Sequence, residues 1–440
     1  MHQRERLHEA MVELVAEHGY NAFSVAALVK RAHVSKRDFY KQFSGKEECL
    51  LDTYDIIVNH SLCGIHAVVE SEEERHERLR LGFLIFADQI ADNPEAARLA
   101  LVEICAAGTG AIERMLRANR LFEALVAKSL APADGSARLP RLLVKGIVAG
   151  CGQVARARLL SGHPRQLTLD REELMRWTLS FCDDDVGRLR GLGLDGAPPL
   201  PATAAKPTPG DERAMILAAT ARLASREGSA TLTVPRVRAA AGVSGRSFYA
   251  HFDGVADCFR ATLDTLSGRT LEAAEPFYLT SEDWASGIHR MIVRLCQHLA
   301  GDPTLANLAF REGFSPDPET IEWRSEMIAK LAAMLRRAAP PKQQPSVFAA
   351  EASIGAMWGV IDHFVASGSR EQLPIAAPVL SYIALAPAIG GAAAIEAMVA
   401  PSTRGRPAAK RSAPDRNSFD RALASLLMEQ DARASAEPGE

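Results

Sequence analysis

The feature that most limits what this chain can become is an internal repeat. The segment Val34 to Phe43, VSKRDFYKQF, returns as Val243 to Phe252, VSGRSFYAHF, at a displacement of 209 residues. The same offset, without a gap, pairs Ala10 with Ala219, Leu14 with Leu223, Gly19 with Gly228, Val25 with Val234 and Cys49 with Cys258. It persists far beyond the motif, matching Asn93-Pro94 to Asp302-Pro303, Glu103 to Glu312, and Gly146 and Gly150 to Gly355 and Gly359. A repeat of this length is a duplicated folding unit of about 200 residues, so the chain is read as two copies of one architecture. Between them, Gly191 to Gly210 carries prolines at 198, 199, 201, 207 and 209, the composition of an extended linker.

Composition narrows the class. With 440 residues the chain exceeds a single small binding module, and 47% apolar with 24% charged residues is ordinary globular protein. The net charge of −3 gives no global basic signature, so any contact with nucleic acid must be local. Seven cysteines, at 49, 63, 105, 151, 182, 258 and 296, are scattered and never form a C-x-x-C pair. That pattern argues against a disulfide framework and a zinc site, and for a reducing cytoplasm. Met1 to Leu14 is charged throughout, unlike a signal peptide. Leu373 to Ile395 has no charge over 23 residues, but prolines at 374, 378 and 387 and many alanines favour a buried helix pair over a membrane span.

Strand-like alternation is scarce and apolar residues recur at three and four spacing, as in Leu79, Phe83, Phe86 and Ile90, which predicts an all-α protein. In the first copy, a helix over Arg4 to Glu17 is followed by one capped by Ser24 and, after a short turn, one capped by Ser35. Phe39 and Phe43, four apart, must face inward, which turns Lys36, Arg37, Tyr40 and Lys41 outward. From Lys30 to Lys46 there are six basic residues and one acid. A basic, aromatic helix preceded by a short helix and a tight turn is the pattern of a helix-turn-helix whose second helix enters the major groove. Lys46, at the start of the next helix, is placed to hold a phosphate.

The capped helix, the Ala-x-Val-Ser turn, the Phe-Tyr-x-x-Phe helix and the Lys-Glu start of the next helix, over Ser24 to Leu50, resemble the TetR family of transcriptional regulators, and the resemblance returns over Thr233 to Phe259. The resemblance implies two tandem units, each an N-terminal helix-turn-helix head and a helical regulatory body. The expected boundaries are a first head at 1–54, a first body at 55–190, a linker at 191–210, a second head at 211–264, a second body at 265–400 and a basic tail at 401–440. Expected DNA-contacting or capping residues are Ser24, Ser35, Lys36, Arg37, Tyr40, Lys41 and Lys46 in the first head. In the second they are Thr233, Ser244, Arg246, Tyr249 and His251. There Lys36, Lys41 and Lys46 are replaced by Gly245, Ala250 and Val255, which predicts a weaker grip. The partner so implied is double-stranded operator DNA.

The family's bodies hold a ligand cavity and pair through their last two helices. Here the pairing helices are expected at Leu139 to Ser161 with Arg171 to Phe181, and at Val347 to Ser367 with Val379 to Ala386, docked as an intramolecular pseudo-dimer. The chain should then be a monomer or at most a weak homodimer. Candidate residues for a small hydrophobic ligand are Phe83, Phe86, Met115 and Phe122 in the first body, and Met291, Phe310, Met327 and Met334 in the second; His363, beside Asp362, is a further polar candidate. In the tail, Arg404-Gly405-Arg406 resembles a minor-groove anchor. No catalytic, cofactor or metal motif stands out. The competing reading is a ligand- or partner-binding helical protein in which the second or both heads are idle.

Overall fold

The computed structural model describes residues 3–72, 74–131, 139–182, 184–192, 211–279, 283–311 and 318–399. Most of the expected linker and the whole basic tail, including Arg404 and Arg406, lie outside these residues. Every regular element among them is helical. The first copy contains α1 (Gln3–His18), α2 (Val25–Arg31), α3 (Lys36–Tyr40), α4 (Lys46–Ser71), α5 (Arg75–Asp92), α6 (Pro94–Arg98), α7 (Thr109–Ser129), α8 (Arg141–Leu160) and α9 (Gln166–Leu179). The second repeats it in order as α10 (Glu212–Glu227), α11 (Val234–Ala241), α12 (Gly245–His251), α13 (Val255–Leu279), α14 (Trp284–Gly301), α15 (Pro303–Ala306), α16 (Pro318–Ala338), α17 (Val347–Ala366) and α18 (Ala377–Ile389), and adds α19 (Gly391–Val399). Even a local irregularity is duplicated: a π-helical turn occupies Leu99–Glu103 in one copy and Asn307–Arg311 in the other.

The heads share their interior chemistry. Thr53 Oγ1 donates to the Cys49 carbonyl at 2.7 Å, and Thr262 Oγ1 to the Cys258 carbonyl at 2.7 Å. Arg4 lies 5.2 Å over the Phe43 ring, and Arg213 lies 5.5 Å over Phe252. The turn between the second and third helices needs a left-handed residue, supplied by His33 (φ 51°) in one copy and Gly242 (φ 71°) in the other. α4 and α13 run unbroken across 54/55 and 264/265, so each head shares a helix with its body. The first head has a core of its own, built on Leu7, Met11, Leu28, Phe39 and Leu50 and closed by Leu99 and Ile104. The second head's Ile216, Val237 and Phe248 belong instead to the large core that runs through both bodies.

α8 and α17 cross at the centre of the molecule, and they can approach because glycines line the crossing. A Cβ on Gly150 would stand 2.7 Å from the Ala352 carbonyl oxygen, one on Gly355 2.5 Å from Gln153 Cβ, and one on Gly359 would strike Ala149 Cβ. Around this seam Trp177 Nε1 donates to Ser353 Oγ at 3.0 Å, and the Phe181 and Tyr382 rings lie 6.1 Å apart. Arg158 pairs with Asp170 at 2.6 Å in its own copy and with Glu351 at 3.5 Å in the other. The four expected pairing helices thus dock within one chain. The uncharged stretch after Leu373 forms a 3-10 turn, α18 and α19. Arg370–Ile389 is long and apolar enough to cross a membrane, yet Leu373, Leu380, Tyr382 and Leu385 are fully buried in the protein.

Candidate nucleic-acid interface and ligand cavity

In the first head Ser24 Oγ accepts from the Ala27 amide at 3.4 Å, and Ser35 Oγ accepts from the Asp38 amide at 3.0 Å while donating to Asp38 Oδ2 at 2.8 Å. Both serines start a helix and satisfy an otherwise unpaired amide. Phe39 and Phe43 are buried, and Lys36, Arg37, Tyr40 and Lys41 are exposed. Lys41 Nζ bonds Asp38 at 2.7 Å, and this contact with the Ser35 bond holds the Asp38 carboxyl below the usual range. Lys36 and Arg37 therefore carry the less compensated charge of the face.

Lys46 has a different setting from its expected one. Its ammonium donates to the carbonyls of Tyr20 at 2.8 Å and Phe23 at 2.7 Å and stands 4.2 Å and 4.6 Å from the two ring centroids. Burial lowers its pKa. A DNA phosphate would compete with these partners, whereas the side chain as placed ties the Tyr20–Ala22 turn to the start of α4.

The second head has the same frame and a different face. Ser244 Oγ accepts from the Ser247 amide at 3.0 Å, while Thr233 makes no such side-chain cap. Arg246, Tyr249 and His251 are exposed on α12. Above the position of the missing lysine lies Arg238: a Cβ on Gly245 would stand 2.6 Å from its Nη1. The replacement of Lys36 by Gly245 is thus accompanied by a guanidinium from the neighbouring helix. Its counterpart in the first copy is the buried Val29, and an arginine at a core position of the repeat was the available signal.

Behind the first head lies a cavity of about 1020 Å³. Phe83, Phe86, Met115 and Phe122 all line it, as do Asp362 and His363 from the second copy. Met291, Phe310, Met327 and Met334 are not among its lining residues; Phe310 and Met327 are packed into the core, Phe310 with its ring 4.7 Å from Trp358. Lys145 and Glu123, paired at 2.6 Å, belong to the wall and act in opposite senses on His363, whose pKa burial lowers. Sequence reasoning missed the deeper polar residues, Arg156 and Arg324. Both stand where the other repeat has an apolar residue, Val365 and Met115, so comparison of the copies position by position marks them.

Two exposed, capped, basic or arginine-bearing helices, each on a helix-turn-helix frame, define a DNA-binding transcriptional regulator. The profile described as "Bacterial regulatory proteins, tetR family" matches twice, at residues 7–53 and 216–262, so each of the two tandem units carries a head of that family. Similar solved structures include the fatty acid degradation regulator FadR from Bacillus halodurans, 19% identical, covering 40% of this chain and 97% of its own, with a TM-score of 0.36. A second is the transcriptional regulator FadR from Bacillus subtilis in complex with stearoyl-CoA, 15% identical with the same coverages and TM-score 0.36. No curated protein matches the chain.

Proposed function

We propose that the protein is a cytoplasmic, ligand-responsive repressor in which one polypeptide occupies one operator. The observation that carries this reading is the glycine-lined crossing of α8 and α17, which joins two units within a single chain. Each unit brings its own exposed recognition helix, so the pairing that supplies two heads does not require a second chain. α4 supplies a route for control. It starts in the head at Lys46 and places Tyr54, Ile57 and Ser61 on the cavity wall, so a ligand that shifts α4 shifts the head with it.

Light scattering of the protein alone and on an operator fragment tests the proposal. The expected result is a monomer in solution and one chain per fragment. An obligate dimer of full-length chains would overturn it. Salt-dependent binding to the DNA upstream of its own gene separates it from the reading with idle heads, because phosphate contacts weaken as salt rises.

A further inference from the structure

The wall of the cavity and its counterpart in the other repeat differ in residue size. Gly82 on α5 and Ala149 and Gly152 on α8 line the cavity. A Cβ on Gly152 would meet nothing within 4 Å, and one on Gly82 only the Ile65 side chain at 4.0 Å, so both glycines face open space. At the repeat offset the second copy has Met291, Trp358 and Ile361, and Leu101, which lines the cavity from the first π-helical turn, becomes Phe310. Trp358 is 5% and Ile361 3% exposed, and Met291 packs against the same core. The exchange also runs the other way, with Phe83, Phe86 and Phe122 becoming Ile292, Leu295 and Leu331. The outcome is a filled interior all the same: Phe83 and Asn119 keep accessible surface on the first wall, whereas their counterparts Ile292 and Ile328 are each 1% exposed. Side chains packed to this density leave no room for a further molecule.

The filling side chains are joined to the second head. The Trp358 ring lies 4.7 Å from that of Phe310 and 6.3 Å from that of Trp323, and Trp323 Nε1 donates to Asp264 Oδ1 on α13 at 2.9 Å. The first copy links the same two positions by a solvent-facing ion pair, Arg114 with Asp55 on α4. Each body thus holds its head's long helix at an equivalent place, in the first copy beside the cavity-lining Met115 and in the second beside a buried tryptophan. Resting on the reading of the cavity as the ligand site, we infer that the chain has a single sensor. The first body takes one molecule with an apolar tail, and Trp358 fills the second body in the ligand's place, so only the first unit responds.

Calorimetric titration of the full chain with 1-decanol, decanoate and decyltrimethylammonium, all below their self-association concentrations, tests this inference. The probes share a tail and differ in head charge, because the inference concerns the number and place of the apolar site. Any probe that binds should saturate at one per chain. Bound probe should slow amide hydrogen exchange in α4, α5 and α7, which line the cavity, and not in α13 and α14, which contribute no described residue to its wall. Gly82→Met with Gly152→Ile copies the second body's residues into the first and should weaken the probe about tenfold or more without lowering the melting temperature. On that background Trp358→Ala should open an apolar site in the second body, read as one indole bound per chain. Two probes per chain, equal slowing in α13 and α14, undiminished binding by the filled variant, or a folded Trp358→Ala variant that takes no indole would overturn the single sensor while leaving the cavity reading intact. If no probe binds, the cavity reading falls and the sensor with it. Stoichiometry and exchange on the unmodified protein decide the matter even if a variant does not fold.

Discussion

At the scale of single residues, the repeat separates what the fold requires from what the site requires. His289 on α14 shows a fold requirement with a measurable signature. Its Nδ1 lies 2.8 Å from Ser381 Oγ, and Ser381 donates in turn to the Ala377 carbonyl, so the neutral imidazole is the donor. Burial pushes its pKa down to about 4 from 6.5. Between those values the unfolded chain takes up a proton that the folded protein refuses. The contribution of His289 to stability is therefore full above pH 6.5 and falls as the pH drops toward 4. At about 1.4 kcal/mol per unit the loss is at most about 3 kcal/mol. His289→Gln should keep the bond to Ser381 and remove the pH dependence. Urea denaturation of both proteins at several pH values checks this, and a stability difference constant across the range would rule it out. Lys46 and Arg238 make the complementary point. One is a surface-type residue whose charge is spent on two carbonyls, and the other is an arginine at a core position of the repeat whose charge reaches the recognition helix.

At the scale of elements, α3 and α12 have one frame and unequal charge. Lys36→Ala with Arg37→Ala should lower the slope of log affinity against log salt by about 0.9 for each phosphate contact removed, and should cost more affinity than Arg246→Ala alone. Arg238→Ala should also reduce that slope, which a guanidinium confined to the interior would not do. Equal losses for the two heads in a salt titration would refute the ranking. The crossing of α8 and α17 offers a second test. Gly355→Val would force a side chain into Gln153 and should destabilise the protein by about 1 to 3 kcal/mol. Gly268→Ala on α13, where nothing lies within 4 Å, should instead add about 0.5 to 1 kcal/mol. Thermal melts distinguish the two outcomes. The helices and caps of the heads were legible in the sequence because Ser24, Ser35 and the Phe39/Phe43 spacing act locally. The meeting of Arg156, Arg324 and Asp362 on the cavity wall was not, because they are brought together by tertiary packing across a separation that no local pattern spans. The aromatic and methionine residues chosen in the first body line the cavity, whereas Phe310 and Met327 fill core. An apolar residue reads alike in either setting.

At the scale of the whole molecule, the two faces predict the shape of the operator. Identical heads read an inverted repeat, since operator symmetry mirrors protein symmetry. Lys36 and Lys41 against Gly245 and Ala250 cannot meet equally good partners in identical half-sites, and each well-made base contact discriminates by about 1 to 3 kcal/mol. The expected operator is therefore non-palindromic, with one strongly constrained half-site under α3 and one tolerant half-site under α12. Selection from a random pool of DNA sequences would show this, and a perfect inverted repeat with both halves equally constrained would contradict it. The glycine-lined crossing has one more consequence, for scarcity. A regulator assembled from separate subunits comes apart on dilution, and a cell holding few copies keeps only some of them paired. Here the partner is tethered to its mate, and the local concentration set by the tether does not change with the number of molecules in the cell. A handful of copies would remain fully assembled, so occupancy of the operator can rise in proportion to the amount of protein instead of its square.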